Sequence, residues 1–351
     1  MSNNLGIYIH IPFCEKKCNY CDFYSSYADA SLKERYVMAL LREIGRWGNS
    51  LCRPADSLYL GGGTPSLLPQ KSLCEIYDAV LTCFGTPKSA TMEVNPDDTV
   101  DFAALPFNRI SVGVQTFNDR ELEALGRRHT ALQAKQTLKN AVSIVGDVSA
   151  DLMLGIPYQT KESLMQNLKT LVDLGVTHIS AYMLKREKGT PFYKSDLPFA
   201  DEDTVARFYL LTCEFLENNG FERYEISNFA KKGYESKHNL KYWTGEDYLG
   251  LGPAAHSKIG NRRFYYERDT QKYIDSPCEI TESEESDADE EIMLLLRTNI
   301  GYDFSKNSEL APFLRRLETE GLIKTKGTRT VLTDRGALLS NEIITQILLK
   351  K

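Results

Sequence analysis

The chain opens on an alternation of apolar and polar positions with the two-residue period of a β-strand. The strand is predicted over residues 6–13, with its isoleucines on one face and Tyr8 and His10 on the other. A strand with one apolar and one polar face indicates that a layer of helices covers the apolar face and that the polar face lines a functional interior. His10 is therefore interpreted as a hydrogen-bonded core histidine in preference to a metal ligand.

The pairing of a strand with a following helix recurs along the first half of the chain. The first helix is predicted over residues 31–47, with Ser31 as its N-cap and Glu34 completing a capping box. Further strands are predicted at residues 56–60, 90–96, 109–116, 147–157 and 178–184. Further helices are predicted at residues 69–83, 118–125, 131–145 and 161–174. Six strand-then-helix units predict an α/β fold with a parallel sheet, and because a closed barrel has eight, we expect a partial, open (β/α)6 barrel.

Beyond residue 200 the pattern is less regular. A long amphipathic helix is predicted over residues 201–219 and a strand over residues 223–230. A hairpin is predicted over residues 322–332, with its turn at Lys326-Gly327. Helices are predicted on both sides of this hairpin, at residues 291–298, 310–320 and 335–349. Helices with a small hairpin are typical of a winged-helix-like module.

These patterns divide the chain into three parts. Residues 1–200 are expected to form the barrel, residues 201–281 an extension of it, and residues 282–351 the C-terminal module. Seven of the ten residues from Glu282 to Glu291 are acidic, which is typical of a solvated linker leading into a helix. Winged-helix modules often bind DNA, but we expect this one to pack over the open end of the barrel.

Composition narrows the function classes. The chain has 351 residues, of which 42% are apolar and 26% charged, so it can bury a large core. Its net charge of -6 disfavours general nucleic-acid binding. The sequence contains neither a long uninterrupted apolar stretch nor a secretory signal pattern, so we expect a soluble, cytoplasmic protein. Its eight cysteines then indicate metal binding or packing rather than disulfides.

Three of those cysteines lie within eight residues, at Cys14, Cys18 and Cys21. Thiolates at this spacing can surround one multi-iron centre, and three ligands leave one iron open to chelate a substrate such as S-adenosylmethionine. A structural zinc site would need a fourth ligand, usually from a second CxxC pair, and a disulfide would leave one thiol unpaired. The remaining five are expected to be small core hydrophobes: Cys52, Cys74, Cys83, Cys213 and Cys278.

Polar residues lie at the predicted carboxyl ends of all six strands, where ligands gather in such folds. Any one of them could merely cap a loop, but six together are more typical of a binding site. They are Cys14, the loop Gly61–Thr64, the pair Glu93 and Asn95, Gln115, Asp151 and Tyr182.

Several longer motifs can be read along the first half of the chain. They are Tyr8-x-His-Ile-Pro-Phe-Cys with CxxxCxxC, the GGGTP loop at residues 61–65, Met92-Glu-Val-Asn-Pro, Val112-Gly-Val-Gln-Thr-Phe and Asp151-Leu-Met-Leu-Gly-Ile-Pro. Together they resemble the radical-SAM coproporphyrinogen dehydrogenase group, and the resemblance extends from residue 5 to the C-terminus. Lys237–Trp243 contains an HNxxYW sequence, which within that group resembles the signature of the HemW-type haem chaperones.

The resemblance implies a cofactor set and the residues that hold it. It implies a [4Fe-4S] cluster bound by Cys14, Cys18 and Cys21. It also implies S-adenosylmethionine contacts from Tyr8, Tyr20, Gly62, Gly63, Thr64, Glu93, Gln115, Arg127, Asp151 and Met183. No catalytic residue is assigned.

His238 is the haem ligand that the resemblance implies. We expect it in a polar loop, with Tyr242 and Trp243 stacking on the porphyrin, and we keep His256 as a weaker candidate. From the residues alone, a histidine beside aromatic rings is more often a packed hydrogen-bonding group. Because the HNxxYW signature is complete, we favour haem ligation by His238 over this packing role.

Two departures separate this chain from the decarboxylating members of the group. Phe23 stands where those enzymes have a fourth cysteine, and an N-terminal extension ahead of the cluster is missing. The resemblance therefore favours a haem chaperone that delivers haem to acceptors such as respiratory enzymes, with membrane association only through those acceptors. The alternative is an oxygen-independent coproporphyrinogen III dehydrogenase, so whether the protein is an enzyme stays open, as do its haem donor and oligomeric state.

Overall fold

The computed structural model describes residues 4–283 and 288–351. Its strands are β1 (Leu5–Ile11), β2 (Ala55–Gly62), β3 (Ser89–Val94), β4 (Arg109–Gln115), β5 (Val148–Leu154), β6 (His178–Met183), β7 (Glu222–Arg223), β8 (Asn228–Ala230), β9 (Tyr248–Leu251), β10 (His256–Ile259), β11 (Arg262–Tyr265), β12 (Thr281–Ser283), β13 (Ile323–Lys326) and β14 (Arg329–Leu332). Its α-helices are α1 (Ala30–Leu51), α2 (Gln70–Phe84), α3 (Asp119–Leu125), α4 (Ala131–Ile144), α5 (Lys161–Leu174), α6 (Glu202–Asn218), α7 (Lys237–Thr244), α8 (Thr270–Asp275), α9 (Ala288–Leu295), α10 (Ala311–Thr319), α11 (Asp334–Leu338) and α12 (Ser340–Lys350).

The first six strands pair in chain order and run parallel, so the predicted α/β fold with a partial barrel is confirmed. The sheet is larger than predicted, because the extension adds strands at both edges. β9 pairs parallel with β1 and continues through antiparallel β10, β11 and β12, while β8 and β7 pair antiparallel beyond β6. Residues from the predicted second part therefore complete the sheet of the first.

The two faces of β1 separate as the alternation predicted. Its isoleucines are fully buried in the main core, together with apolar residues of α1 such as Leu40 and Ile44. Tyr8 and His10 point into the barrel interior, where the Tyr8 hydroxyl lies 2.9 Å from His10 Nδ1. The other ring nitrogen of His10 lies 2.8 Å from the backbone oxygen of Tyr24, so the prediction of a hydrogen-bonded core histidine is confirmed.

Three local predictions are wrong. Helix α1 begins one residue early and is capped by Asp29, whose side chain accepts from Leu32 N at 2.8 Å, so Ser31 is not the N-cap. The strand predicted over residues 223–230 is two short strands, β7 and β8, because the buried Glu225 side chain accepts from Ser227 N and turns the chain. The last predicted helix is split at Leu339 into α11 and α12.

The C-terminal module has its own apolar core, formed by residues of α9, α10, α12 and the hairpin. Strands β13 and β14 form the predicted antiparallel hairpin, with Gly327 in the left-handed conformation at its turn. The acidic segment Glu282–Glu291 was predicted as a linker, and its residues 284–287 lie outside the described part of the chain.

The module packs at the end of the barrel opposite to the one predicted. Arg223 of β7 pairs with Asp334 at 2.8 Å, and Asn299 N donates to the backbone oxygen of Tyr224. The Tyr224 hydroxyl in turn lies 2.8 Å from Nε2 of His178, which is the first residue of β6. These contacts place the module at the amino ends of the strands, so the expectation that it covers the open end is wrong.

None of the helices in residues 4–283 and 288–351 combines the length and the hydropathy required to cross a bilayer.

Candidate functional site

A cavity of about 570 Å³ opens at the carboxyl ends of the parallel strands. Every one of the six strand ends contributes to it, as their polar residues predicted. The predicted site residues that line it are Cys14, Cys18, Tyr20, Cys21, Gly62, Gly63, Thr64, Glu93, Gln115, Arg127 and Asp151. The structure therefore brings together all three clustered cysteines and eight of the ten residues predicted to contact S-adenosylmethionine.

The three thiols are presented by the loop that follows β1. Backbone bonds from Cys14 N to Ser26 O and from Ser26 N to Pro12 O fold this loop back on itself beside the strand end. Burial raises the pKa of the Cys21 thiol to about 11. Across the described residues, no three His, Cys, Asp or Glu side chains converge closely enough to hold a single metal ion.

The glycine loop after β2 brings backbone next to this cysteine loop. Gly63 N donates to Ile11 O at 2.8 Å, and a Cβ at Gly63 would lie only 2.5 Å from Phe13 O. Gly62 has φ +106 and donates its N–H to Glu93 Oε2 at 3.1 Å. Because a side chain at either position would clash or strain the backbone, only glycine permits this approach.

Two half-buried carboxyl groups, those of Glu93 and Asp151, form the inner wall of the cavity. Burial, with a contribution from Asp151, raises the pKa of Glu93 to about 7, although the Tyr59 hydroxyl donates to it at 2.8 Å. Burial likewise raises the pKa of Asp151 to about 6. Both groups therefore change protonation near neutral pH, and each can accept hydrogen bonds from an ammonium or hydroxyl group of a ligand.

Arg127 places a half-buried positive charge beside the cysteines. Its guanidinium donates to Cys18 Sγ at 3.4 Å, to Asn95 Oδ1 at 2.6 Å and to Gly113 O at 2.8 Å. Asn95 also donates to Thr64 Oγ1 at 3.0 Å and so connects the guanidinium to the glycine loop. Arg127 Nε is buried and has no partner within the described residues, so a donor is left for a ligand.

Two of the residues predicted to contact S-adenosylmethionine do not line the cavity. Tyr8 lies beneath it, with its hydroxyl bonded to His10. Met183 packs against the core, because its neighbours Tyr182 and Leu184 on the alternating strand face the cavity instead. The structure therefore offers no side-chain contact from either residue in this conformation.

The cavity also has lining residues that the sequence analysis did not single out. Ser111 and Gly113 share the inner face of β4 with Gln115, so the two-residue period could have identified them. Arg268 comes from the loop before α8, 85 residues beyond Met183 at the end of β6, and no local pattern signals it.

His238 is not in a polar loop, which corrects the sequence analysis. It lies in the first turn of α7 and is 1% exposed. Its Nδ1 lies 3.1 Å from Ser57 Oγ and its Nε2 lies 2.8 Å from the Tyr242 hydroxyl. Burial, followed by the charge of Lys241, lowers the pKa of His238 to about 3. Because both ring nitrogens are engaged in the interior, His238 cannot reach a haem iron in this conformation.

The scattered cysteines do not all behave as core hydrophobes. All eight cysteines of the chain lie in its described part and are free thiols, so the structure contains no disulfide among them. Cys213 is buried as predicted, and Cys74 and Cys83 are half-buried. Cys52 and Cys278 are exposed, so the packing role predicted for these two is wrong.

Comparisons with known proteins show which families the sequence is similar to. The Radical SAM superfamily profile matches residues 8–171. Over 369 residues the chain is 34% identical to the haem chaperone HemW of Bacillus subtilis, covering 96% of this chain and 97% of that protein. It is 36% identical over 265 residues to HemW of Escherichia coli, covering 73% of this chain and 70% of that one.

Among solved structures, coproporphyrinogen III oxidase (HemN) of Escherichia coli has the same fold. The two superpose with a TM-score of 0.82 over 98% of this chain and 89% of the other, at 22% sequence identity. At that identity the superposition establishes the architecture of the chain.

Proposed function

This chain belongs to the HemW family within the radical SAM superfamily, and from that premise we propose that it binds haem and delivers it to acceptor haem proteins. The observation that carries the proposal is the similarity to proteins named haem chaperones, which extends over 96% of the chain. Respiratory enzymes are the expected acceptors and the cytoplasm the expected location, with membrane association only through those acceptors.

A [4Fe-4S] cluster and S-adenosylmethionine are the proposed cofactors of the cavity. Cys14, Cys18 and Cys21 would ligate the cluster as thiolates, and three ligands fit a centre with one open iron. When bound, the pair supplies a reductive route to a 5'-deoxyadenosyl radical. The cavity residues fit such a ligand: the glycine loop offers backbone groups without side chains, Glu93 accepts from an ammonium group, and the unpartnered Nε of Arg127 can donate to a carboxylate.

Haem transfer tests the proposed function directly. The purified protein loaded with one equivalent of haemin is mixed with a haem-free acceptor, and the absorbance of the reconstituted acceptor is followed over time. We expect transfer through a complex of the two proteins, so the rate should saturate with acceptor concentration. A rate equal to the spontaneous dissociation of haem, measured with an apomyoglobin scavenger, would contradict a chaperone function.

Decarboxylation of coproporphyrinogen is the second candidate, because the cavity retains the features expected of a radical-SAM site. At its opening, however, Phe23 presents an exposed phenyl ring, which cannot supply a further thiol. We therefore expect no conversion of propionates to vinyl groups during anaerobic incubation with coproporphyrinogen, S-adenosylmethionine and reductant. A decarboxylating enzyme of the group serves as the positive control, and stoichiometric protoporphyrinogen from this chain would favour the dehydrogenase instead.

A further inference from the structure

One histidine differs from the other four in its surroundings. All five histidines of the chain lie in its described part. Four are buried, with at least one ring nitrogen in a hydrogen bond: His10, His129, His178 and His238. His256 is exposed, and its imidazole makes no hydrogen bond to any described residue. It is therefore the histidine whose nitrogen lone pair is accessible to an external metal.

The sheet places His256 on the side that faces the barrel interior. In the register of β1 and β9, Gly6 pairs with Tyr248, and Tyr248 also pairs with Lys258 of β10. Paired residues point to the same face, so Lys258, and with it His256 two residues earlier, shares the face of β1 that carries Tyr8. His256 begins β10 just after the carboxyl end of β9, and hence lies at the cavity end of the sheet.

Its immediate neighbours suit a porphyrin. The ring of Tyr265, directly opposite on β11, stacks on the imidazole with centroids 5.2 Å apart and an interplanar angle of 23°. Three residues on, Arg268 is exposed and lines the cavity, and it has no ion-pair partner in the described part of the chain. An aromatic ring can hold the imidazole plane, and a guanidinium can pair with a carboxylate.

The cavity rim, defined here as the exposed lining residues, is positively charged although the protein is acidic overall. Its cations are Lys16, Lys17, Lys185 and Arg268, and its exposed acidic residue among those described is Asp22; Lys185 also pairs with the half-buried lining residue Glu187 at 2.7 Å. The rim also carries the phenyl ring of Phe23, which is 66% exposed. An apolar plane bordered by cations is complementary to a macrocycle that bears two propionates.

We propose that His256 is the axial ligand of the haem iron, with Tyr265 supporting its imidazole and Arg268 pairing with a propionate at the cavity rim. The proposal rests on the proposed function, since it names the site at which a haem-binding member of this family would hold its cargo. It replaces His238, whose two ring nitrogens are occupied in the interior.

Haemin titration of the cluster-loaded protein and of His256→Ala tests the ligand. We expect His256→Ala to lose the ligand-dependent Soret band and to bind haemin roughly tenfold or more weakly, because a coordination bond is lost. Added imidazole should restore the spectrum of the parent in this variant by occupying the vacated position. His129→Ala, which removes a buried histidine whose Nε2 lies 3.1 Å from Val114 O, is the control and should keep the parent spectrum.

Arg268→Ala tests the propionate contact separately. It should weaken haemin binding roughly two- to fivefold, in keeping with an exposed ion pair, and should leave binding of haemin dimethyl ester unchanged. If the parent binds haemin and His256→Ala shows the same spectrum and affinity, His256 is not the ligand while the proposed function stands. If the parent itself binds no haemin, the proposed function fails.

Discussion

Replacing Cys18 with alanine is expected to abolish the iron-sulfur absorbance of the anaerobically reconstituted protein, whereas the unchanged chain should bind about four irons. The physical reason is that two thiolates cannot replace three around one cluster. All three thiols line one cavity, and Cys18 Sγ also accepts from the guanidinium of Arg127, so its loss cannot be compensated by a distant cysteine. Iron and sulfide analysis with visible absorbance measures the effect.

Cys278→Ala is the matched control for this change. Cys278 is exposed and is not a lining residue of the cavity, so its removal should leave iron content and absorbance unchanged. Equal loss of iron from Cys278→Ala and Cys18→Ala would mean that the ligands are wrongly assigned.

The second large effect is expected at His238, on the stability of the fold. His238→Ala should lower the free energy of unfolding by about 2–4 kcal/mol, because it removes two hydrogen bonds, leaves Ser57 and Tyr242 with unsatisfied polar groups, and opens a cavity among aromatic rings. Urea unfolding followed by circular dichroism measures the difference. His256→Ala is the matched control. Because His256 is exposed, its replacement should change the free energy of unfolding by no more than about 0.5 kcal/mol.

The stability difference at His238 should depend on pH. Its pKa is about 3 in the folded protein and about 6.5 in an unfolded chain. Below pH 6.5 the unfolded parent gains a proton that the folded parent does not bind, so acidification destabilises the parent but not the alanine variant through this group. The difference in free energy of unfolding between the parent and His238→Ala should therefore narrow by about 2 kcal/mol from pH 7 to pH 5. A gap that widens on acidification would contradict the buried, neutral imidazole.

The same two variants, His238→Ala and His256→Ala, also distinguish an effect on fold stability from an effect on haem binding. At a temperature where His238→Ala is still folded, we expect it to retain the Soret band of the parent, since its imidazole is enclosed by Ser57 and Tyr242. Loss of that band from folded His238→Ala, with His256→Ala unaffected, would restore His238 as the haem ligand and would require α7 to open.

Much of the barrel and its site follows from the sequence alone. The alternation of β1 and the repeated strand-helix pattern determine the order of six parallel strands, because period and crossover handedness are local properties. The three cysteines are held close by a short stretch of chain, so their spacing alone predicts a shared site. Polar residues at the strand ends converge because parallel strands share one carboxyl edge.

Only the tertiary structure decided where the second half of the chain lies. The aromatic neighbours of His238 in the sequence are typical of a packed histidine, but its enclosure depends on Ser57, 181 residues away in the chain. The position of the C-terminal module depends on an ion pair between Arg223 and Asp334, 111 residues apart. Likewise His256 reaches the cavity end only because β9 pairs with β1. Such long-range pairings depend on how well surfaces from distant parts of the chain fit each other, and the local periodicity of the sequence cannot predict that fit.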